Sequence, residues 1–129
     1  MIIGIGIDIQ EIAKLAESLA TPAFVQKVFT PDEIGLCTAQ RFPDQHFVGK
    51  FVVKEAFMKA VGSGIRQGVW FSQIEVLNRE NGAPYVQLYR EAARIAETLH
   101  IQTIHVTLSH SAGVAVGVVI LEGAVRSQN

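Results

Sequence analysis

Glu55 and Lys59 stand four positions apart in a stretch whose other members include Val48, Phe51, Val52 and Met58. On a helix such a pair projects at nearly one angle, so carboxylate and ammonium would share surroundings made mostly of hydrocarbon. Charges placed there must be paired, bind a metal or open onto a cleft. A plain i,i+4 ion pair, worth about 0.2–0.5 kcal/mol, fits the same spacing. Lys50 and Lys54 leave the helix on another face, where solvent or the mouth of a site is expected. Asp8 follows Gly4-Ile5-Gly6-Ile7, where strand gives way to helix. Aspartate is a poor strand former, so it reads either as a cap for the helix starting near Gln10 or as a ligand. Thr107-Leu108-Ser109-His110-Ser111 offers hydroxyls, an imidazole and backbone N–H groups that suit a phosphate, although an ordinary polar turn uses the same residues. Together these are two carboxylates for a hard cation, a lysine and a phosphate-friendly turn. Mg²⁺ takes one or two carboxylates and completes its shell with phosphate oxygens and water, so the combination points to chemistry at a phosphate ester.

Other chemistries lose support. Eleven basic and twelve acidic side chains give a formal charge of −1, and no basic stripe or arginine–aromatic interleave suggests nucleic acid. His46, His100 and His105 have no zinc-ligand spacing with one another or with Cys37. Gly4-x-Gly6 lacks the third glycine of a dinucleotide fingerprint, and the later strands form hairpins rather than βαβ crossovers. The single cysteine, the lack of a basic n-region in the N-terminal MIIGIGIDI and apolar runs too short for a bilayer predict a cytoplasmic protein without a membrane span.

The elements that must position these residues are readable from periodicity. With 129 residues, 49% hydrophobic and 18% charged, the chain reads as one domain over about residues 1–125, with a polar tail at 126–129. A strand is expected at about 2–8, then helices carrying Ile12, Leu15 and Leu19, and Phe24, Val25 and Val28. Thr30-Pro31-Asp32-Glu33 is a capping-box helix start. Residues 45–61 form the longest helix, apolar around most of its circumference and therefore buried, and Gly62-Ser63-Gly64 ends it. Strands at 71–77 and 84–88 flank Asn81-Gly82, a helix covers 89–99, and strands at 103–109 and 114–122 close a second hairpin. The expected class is α+β, with antiparallel hairpins packed on a long buried helix. The low charge and high apolar content suggest that some apolar surface meets another copy.

In these segments the chain resembles the holo-[acyl-carrier-protein] synthases, the short 4′-phosphopantetheinyl transferases. The resemblance runs through Gly4-Ile5-Gly6-Ile7-Asp8-Ile9 with Glu11, Phe29-Thr30-Pro31-Asp32-Glu33, Gly49-Lys50-Phe51 and Lys54-Glu55-Ala56-Phe57-x-Lys59-Ala60. It continues through Gly62-Ser63-Gly64-Ile65, Asn81-Gly82-Ala83-Pro84-Tyr85 and Val106-Thr107-Leu108-Ser109-His110.

The resemblance implies the 4′-phosphopantetheinyl transferase-like fold and an enzyme of fatty acid biosynthesis and lipid metabolism. It would move the arm of coenzyme A onto a serine of apo-acyl carrier protein and release adenosine 3′,5′-bisphosphate. Asp8 and Glu55 match the family's Mg²⁺ ligands, and Asp8, Glu55 and Lys59 its catalytic residues, with Glu55 the preferred base. Lys50, Lys59, Gly62, Ser63, Gly64, Pro84, Ser109 and His110 would surround the coenzyme, with His110 and the adjacent hydroxyl near the 3′-phosphate. A homotrimer with sites at subunit interfaces is implied, Asp8 and the nucleotide contacts belonging to one subunit and Glu55 and Lys59 to the same one or its neighbour. Departures are Lys50 where arginine is usual, Val52-Val53 in place of two alanines, and a first helix with only Lys14 among Glu11 and Glu17, so that Lys14 and Lys27 are left to receive the acidic carrier. A non-catalytic coenzyme-binding trimer with a plain Glu55–Lys59 pair is the competing reading.

Overall fold

The computed structural model describes residues 1–62 and 68–124. The expected Ser63 and Gly64, Ile65 and the tail beyond Val125 lie outside them. The order is β1 (Ile2–Glu11), α1 (Ile12–Leu19), α2 (Pro22–Val28), α3 (Pro31–Thr38), α4 (Pro43–Val61), a 3₁₀ turn (Phe71–Gln73), β2 (Ile74–Asn78), β3 (Pro84–Leu88), α5 (Arg90–Thr98), β4 (Ile101–Ser111) and β5 (Val114–Gly123). One antiparallel sheet has the order β1-β5-β4, and β2 and β3 form a separate hairpin. The α+β class and the two hairpins match expectation. Strand β1 runs three residues further than expected, and the start of the expected 71–77 strand is the 3₁₀ turn.

Helix α4 is the centre of the molecule. Its residues Phe47 to Val53, with Lys54, Ala56, Phe57 and Met58, are buried, as its unbroken apolar circumference requires. It ends at Gly62, whose φ of 86° lies in the left-handed region that glycine enters freely. One flank of α4 packs on the sheet at unusually short range, because the strands are bare there. A Cβ on Gly6 would lie 1.8 Å from the Ala56 carbonyl oxygen and one on Gly4 2.1 Å from that of Ala60. On β5, a Cβ at Gly117 would lie 2.9 Å from the Val52 carbonyl carbon. The Gly-x-Gly of β1 is thus a seat for a helix. Alternation along β1 turns Gly4, Gly6 and Asp8 towards α4, and Ile5, Ile7 and Ile9 away from it.

A buried charge network fixes α4 on its other side. The capping box forms: the Thr30 hydroxyl accepts from Glu33 N–H, and the Glu33 carboxylate from Thr30 N–H. That carboxylate is fully buried and also accepts from Val76 N–H at 2.9 Å and from Lys54 Nζ at 2.8 Å. Lys54, fully buried too, donates its remaining hydrogens to the carbonyls of Phe71 and Ile74. Lys50 donates to the Val76 carbonyl at 2.7 Å and to Asn78 Oδ1 at 3.2 Å. Glu75 accepts from the Thr30 and Tyr89 hydroxyls. Of the two lysines expected in solvent or at the mouth of a site, Lys54 is wholly interior and Lys50 is buried beside a cavity, because each finds oxygen acceptors that offset the loss of hydration.

Three substitutions test this packing. Gly6→Ala forces α4 off the sheet and should cost about 1–3 kcal/mol or more in urea unfolding. Gly35→Ala, in the exposed run of α3 with nothing within 4 Å of the added Cβ, should stabilise by about 0.5–1 kcal/mol in the same assay. Lys54→Met leaves the Glu33 carboxylate buried without its cation and should cost about 3–5 kcal/mol, read from the urea midpoint.

Candidate functional site

The glycine seat sets the first cluster. Because α4 lies directly on β1, the side chain of Asp8 reaches that of Lys59: Nζ donates to Asp8 Oδ1 at 3.0 Å and to the Ile7 carbonyl at 3.0 Å. Among the described residues nothing takes the ammonium's third hydrogen, and the lysine is exposed while Asp8 is largely covered. Glu55, one turn earlier on α4, is half-buried. Its carboxyl pKa is pushed above the ordinary value by burial and by the nearby Asp8 charge, and Lys59 only partly counters this. Two carboxylates are thus within electrostatic reach of each other, drawn from positions 47 residues apart in sequence.

Two expectations change here. Lys59 is bound by Asp8, not by its helix neighbour Glu55, because the close helix–strand contact brings an aspartate with an adjacent free carbonyl within its reach. Asp8 does not cap α1. It lies inside the prolonged β1, and the N-cap position is Glu11, which makes no side-chain capping bond.

The second cluster lies at the other end of α4. Gln45, His46, Gly49 and Lys50 face Val76, Asn78, Gly82, Pro84, Leu108 and His110 across an open cavity of about 240 Å³. Of the expected coenzyme residues, Lys50, Pro84 and His110 come together in it. Asp8, Glu55 and Lys59 do not line it. Ser109 is also apart: strand alternation turns it to the opposite face of β4 from His110, in register with Val116 on the side where Ile9 is exposed. Gly62 ends α4 near the first cluster, one turn beyond Met58. His46 and Asn78 were not singled out by sequence. His46 lies four residues before Lys50, a helical spacing that could have drawn attention; Asn78 joins only through the packing of the β2 hairpin on α4, a long-range contact that no local pattern discloses.

The cavity is basic. Lys50 sits at its floor, almost fully buried, with two of its three hydrogens taken among the described residues. Burial lowers its pKa, partly countered by Cys37, Glu33 and Glu75. The His46 pKa is lowered by burial, then by the Lys50 and His110 charges. Such a concave surface, with no carboxylate among the described lining residues, suits an anion.

The family model of the 4′-phosphopantetheinyl transferase superfamily matches residues 4–119. The chain belongs to this superfamily. Holo-[acyl-carrier-protein] synthases of Syntrophus aciditrophicus and of a Geobacter species are 43% and 39% identical over 95% of this chain and 98% and 99% of theirs. Among solved structures, the synthase of Neisseria meningitidis superposes with a TM-score of 0.86 at 28% identity, over 95% of this chain and 99% of that one. The Bacillus anthracis synthase in complex with CoA (3′,5′-ADP) gives 0.80 at 32% identity, over 96% and 99%. The transferase fold expected from the resemblance is therefore correct, and the chain is a phosphopantetheinyl transferase of the holo-[acyl-carrier-protein] synthase type.

The raised Glu55 pKa has a consequence for stability. Unfolded, this carboxyl loses its proton near 4.5; folded, it holds the proton to higher pH. Ionised Glu55 therefore weighs against the transferase fold, and this burden grows as pH rises from the unfolded pKa through the folded one. With a chelator present, Glu55→Gln should melt at a higher temperature than the parent at pH 8 and at the same temperature below pH 4.

Proposed function

We propose that this transferase moves the 4′-phosphopantetheine arm of coenzyme A onto a serine of apo-acyl carrier protein, using Mg²⁺ held by Asp8 and Glu55. The observation that carries the reading is the pair of mutually repelling carboxylates beside an anchored lysine. A hard divalent cation relieves that repulsion. Among the described residues no third metal-ligating side chain joins them, so phosphate oxygens and water would complete the shell. When bound, Mg²⁺ offsets the charge of the diphosphate and makes its β-phosphorus more electrophilic.

The chain's own residues supply the rest. Lys59, held in place by Asp8 and the Ile7 carbonyl, points its remaining N–H at a phosphate oxygen and steadies the charge that develops on the leaving group. The carrier's serine gives its proton to Glu55, directly or through water that Glu55 orients. Its oxygen bonds to the β-phosphorus as the phosphoanhydride bond breaks, and the bonding electrons leave with adenosine 3′,5′-bisphosphate. Holding the cation lowers the basicity of the Glu55 carboxylate, which favours the route through water.

The nucleotide end would lie in the basic cavity with Lys50, Pro84 and His110. One chain cannot supply both clusters to a single coenzyme. Lys50 and Lys59 leave α4 on opposite sides, about 13 Å apart along its axis, whereas one ribose carries both the 3′-phosphate and the 5′-diphosphate. The site is therefore completed by a neighbouring copy, in a homotrimer, with Asp8, Glu55 and Lys59 on one subunit and Lys50 and His110 on the next. The outward face of the sheet supports this: Ile5, Ile7 and Ile9 are each about 60% exposed or more, and pair with Ile120, Val118 and Val116. Isolated chains would leave this band in water. Ser109 lies on the same face, and in a trimer it would approach a coenzyme bound across the interface.

The carrier protein would dock near α1 and α2, through Lys27 and Lys14, the latter lightly engaged by Glu11 at 3.6 Å. No helix of the described residues is long and apolar enough to cross a membrane. A cytoplasmic setting, serving fatty acid biosynthesis, agrees with the lone buried Cys37, whose thiol burial pushes up to about 11 and out of reach of disulfide exchange. Mass spectrometry of apo-carrier protein incubated with coenzyme A and Mg²⁺ should show the arm attached, and a chelator should prevent it. Asp8→Ala and Glu55→Ala should each slow transfer by about 10²-fold or more with folding intact by circular dichroism. Transfer that survives both chelation and these substitutions contradicts the reading.

A further inference from the structure

The basic cavity has a second histidine that the transfer chemistry leaves unused. His46 lies on α4 one turn before Lys50, and His110 faces it from the end of β4. Among the described residues, every ionisable side chain lining the cavity is a nitrogen base: His46, Lys50 and His110. The acidic groups that feel Lys50, Glu33 on α3 and Glu75 on β2, lie behind it, with the Cys37 thiol, and hold its charge without entering the cavity.

We infer that His46 and His110, with Lys50, form a proton-coupled receptor for a phosphate monoester, and that His46 selects the 3′-phosphorylated nucleotide over the form that lacks this group. The inference rests on the reading of coenzyme A as substrate and names the residue that reads one end of it. A monoester carries close to two negative charges at neutral pH and offers three acceptor oxygens. Lys50 has one hydrogen left for it. An imidazole meets it best as imidazolium, donating from either ring nitrogen. In the free protein the Lys50 and His110 charges disfavour that form of His46. A dianion between the three bases reverses the balance, so the cavity draws a proton from solvent as the ligand enters. Affinity for the 3′-phosphate consequently weakens as pH rises through the histidine range. The diphosphate cluster, with its two carboxylates, has no such basic trio.

Calorimetry in buffers of different ionisation enthalpy tests this without the metal or the carrier protein. The probes are adenosine 3′,5′-bisphosphate and adenosine 5′-monophosphate, each with a chelator, on the full chain and on His46→Gln. At pH 6.5 the bisphosphate should bind tighter by about tenfold or more, with proton uptake, and this advantage should shrink by pH 8.5. His46→Gln, an exposed position, should lose most of the uptake and about tenfold in bisphosphate affinity at pH 6.5, with the monophosphate little changed. Bisphosphate binding without proton uptake, or uptake unchanged in His46→Gln, overturns this inference alone. Failure of both nucleotides to bind at any pH overturns it, and failure that persists when Mg²⁺ replaces the chelator overturns the coenzyme A reading with it.

Discussion

The molecule depends on how closely α4 lies on β1 and β5. Gly4, Gly6 and Gly117 remove the side chains that ordinarily hold a helix away from a sheet, and carbonyls of α4 occupy space that any Cβ would claim. Hydrocarbon packing alone would be satisfied by a wider spacing with larger residues. What the narrow spacing adds is reach: a short aspartate on a strand and a lysine on a helix meet at 3.0 Å, and a glutamate beside them feels both charges. The acidic pair is a consequence of a backbone contact.

The opposite flank of α4 is held by different physics. Lys54 and Glu33 are both fully buried, and their remaining hydrogen-bonding capacity is met by backbone groups of Phe71, Ile74, Val76 and Thr30. A charge pair in such a place is costly to desolvate and still costlier to leave half-made, so the arrangement admits one register of the β2 hairpin against α4. That register brings Asn78 and the Val76 carbonyl to Lys50 and so shapes the basic cavity. One helix therefore carries two sites on opposite sides, each fixed by a separate device: glycines on the sheet side and buried ions on the hairpin side.

Much of this was legible from the residues. The capping box at Thr30, the long helix, the Asn81-Gly82 turn and the second hairpin follow from local rules, because each is decided by neighbours in sequence. The importance of Asp8, Glu55 and Lys59 was also visible as charge in apolar surroundings, although their joint role came from family resemblance. What sequence concealed was long-range. Lys54 reads as solvated or at the mouth of a site because nothing local reveals Glu33 twenty-one residues earlier as its partner, or two carbonyls across the core. Lys59 looked paired with Glu55 because helical spacing is local and the strand contact is not. Ser109 and His110, adjacent in sequence, belong to opposite faces of β4, and period-two alternation makes that foreseeable once the turn at Ala112-Gly113 shows that the strand extends to Ser111.

The account stands on Asp8 and Glu55 sharing one cation. The most direct measurement is Mn²⁺ binding followed by electron paramagnetic resonance, with coenzyme A present, in the parent protein and in Asp8→Asn and Glu55→Gln. The account predicts one bound ion per chain in the parent and affinity weakened at least about tenfold in each variant. Ion binding of undiminished strength in both variants would contradict it.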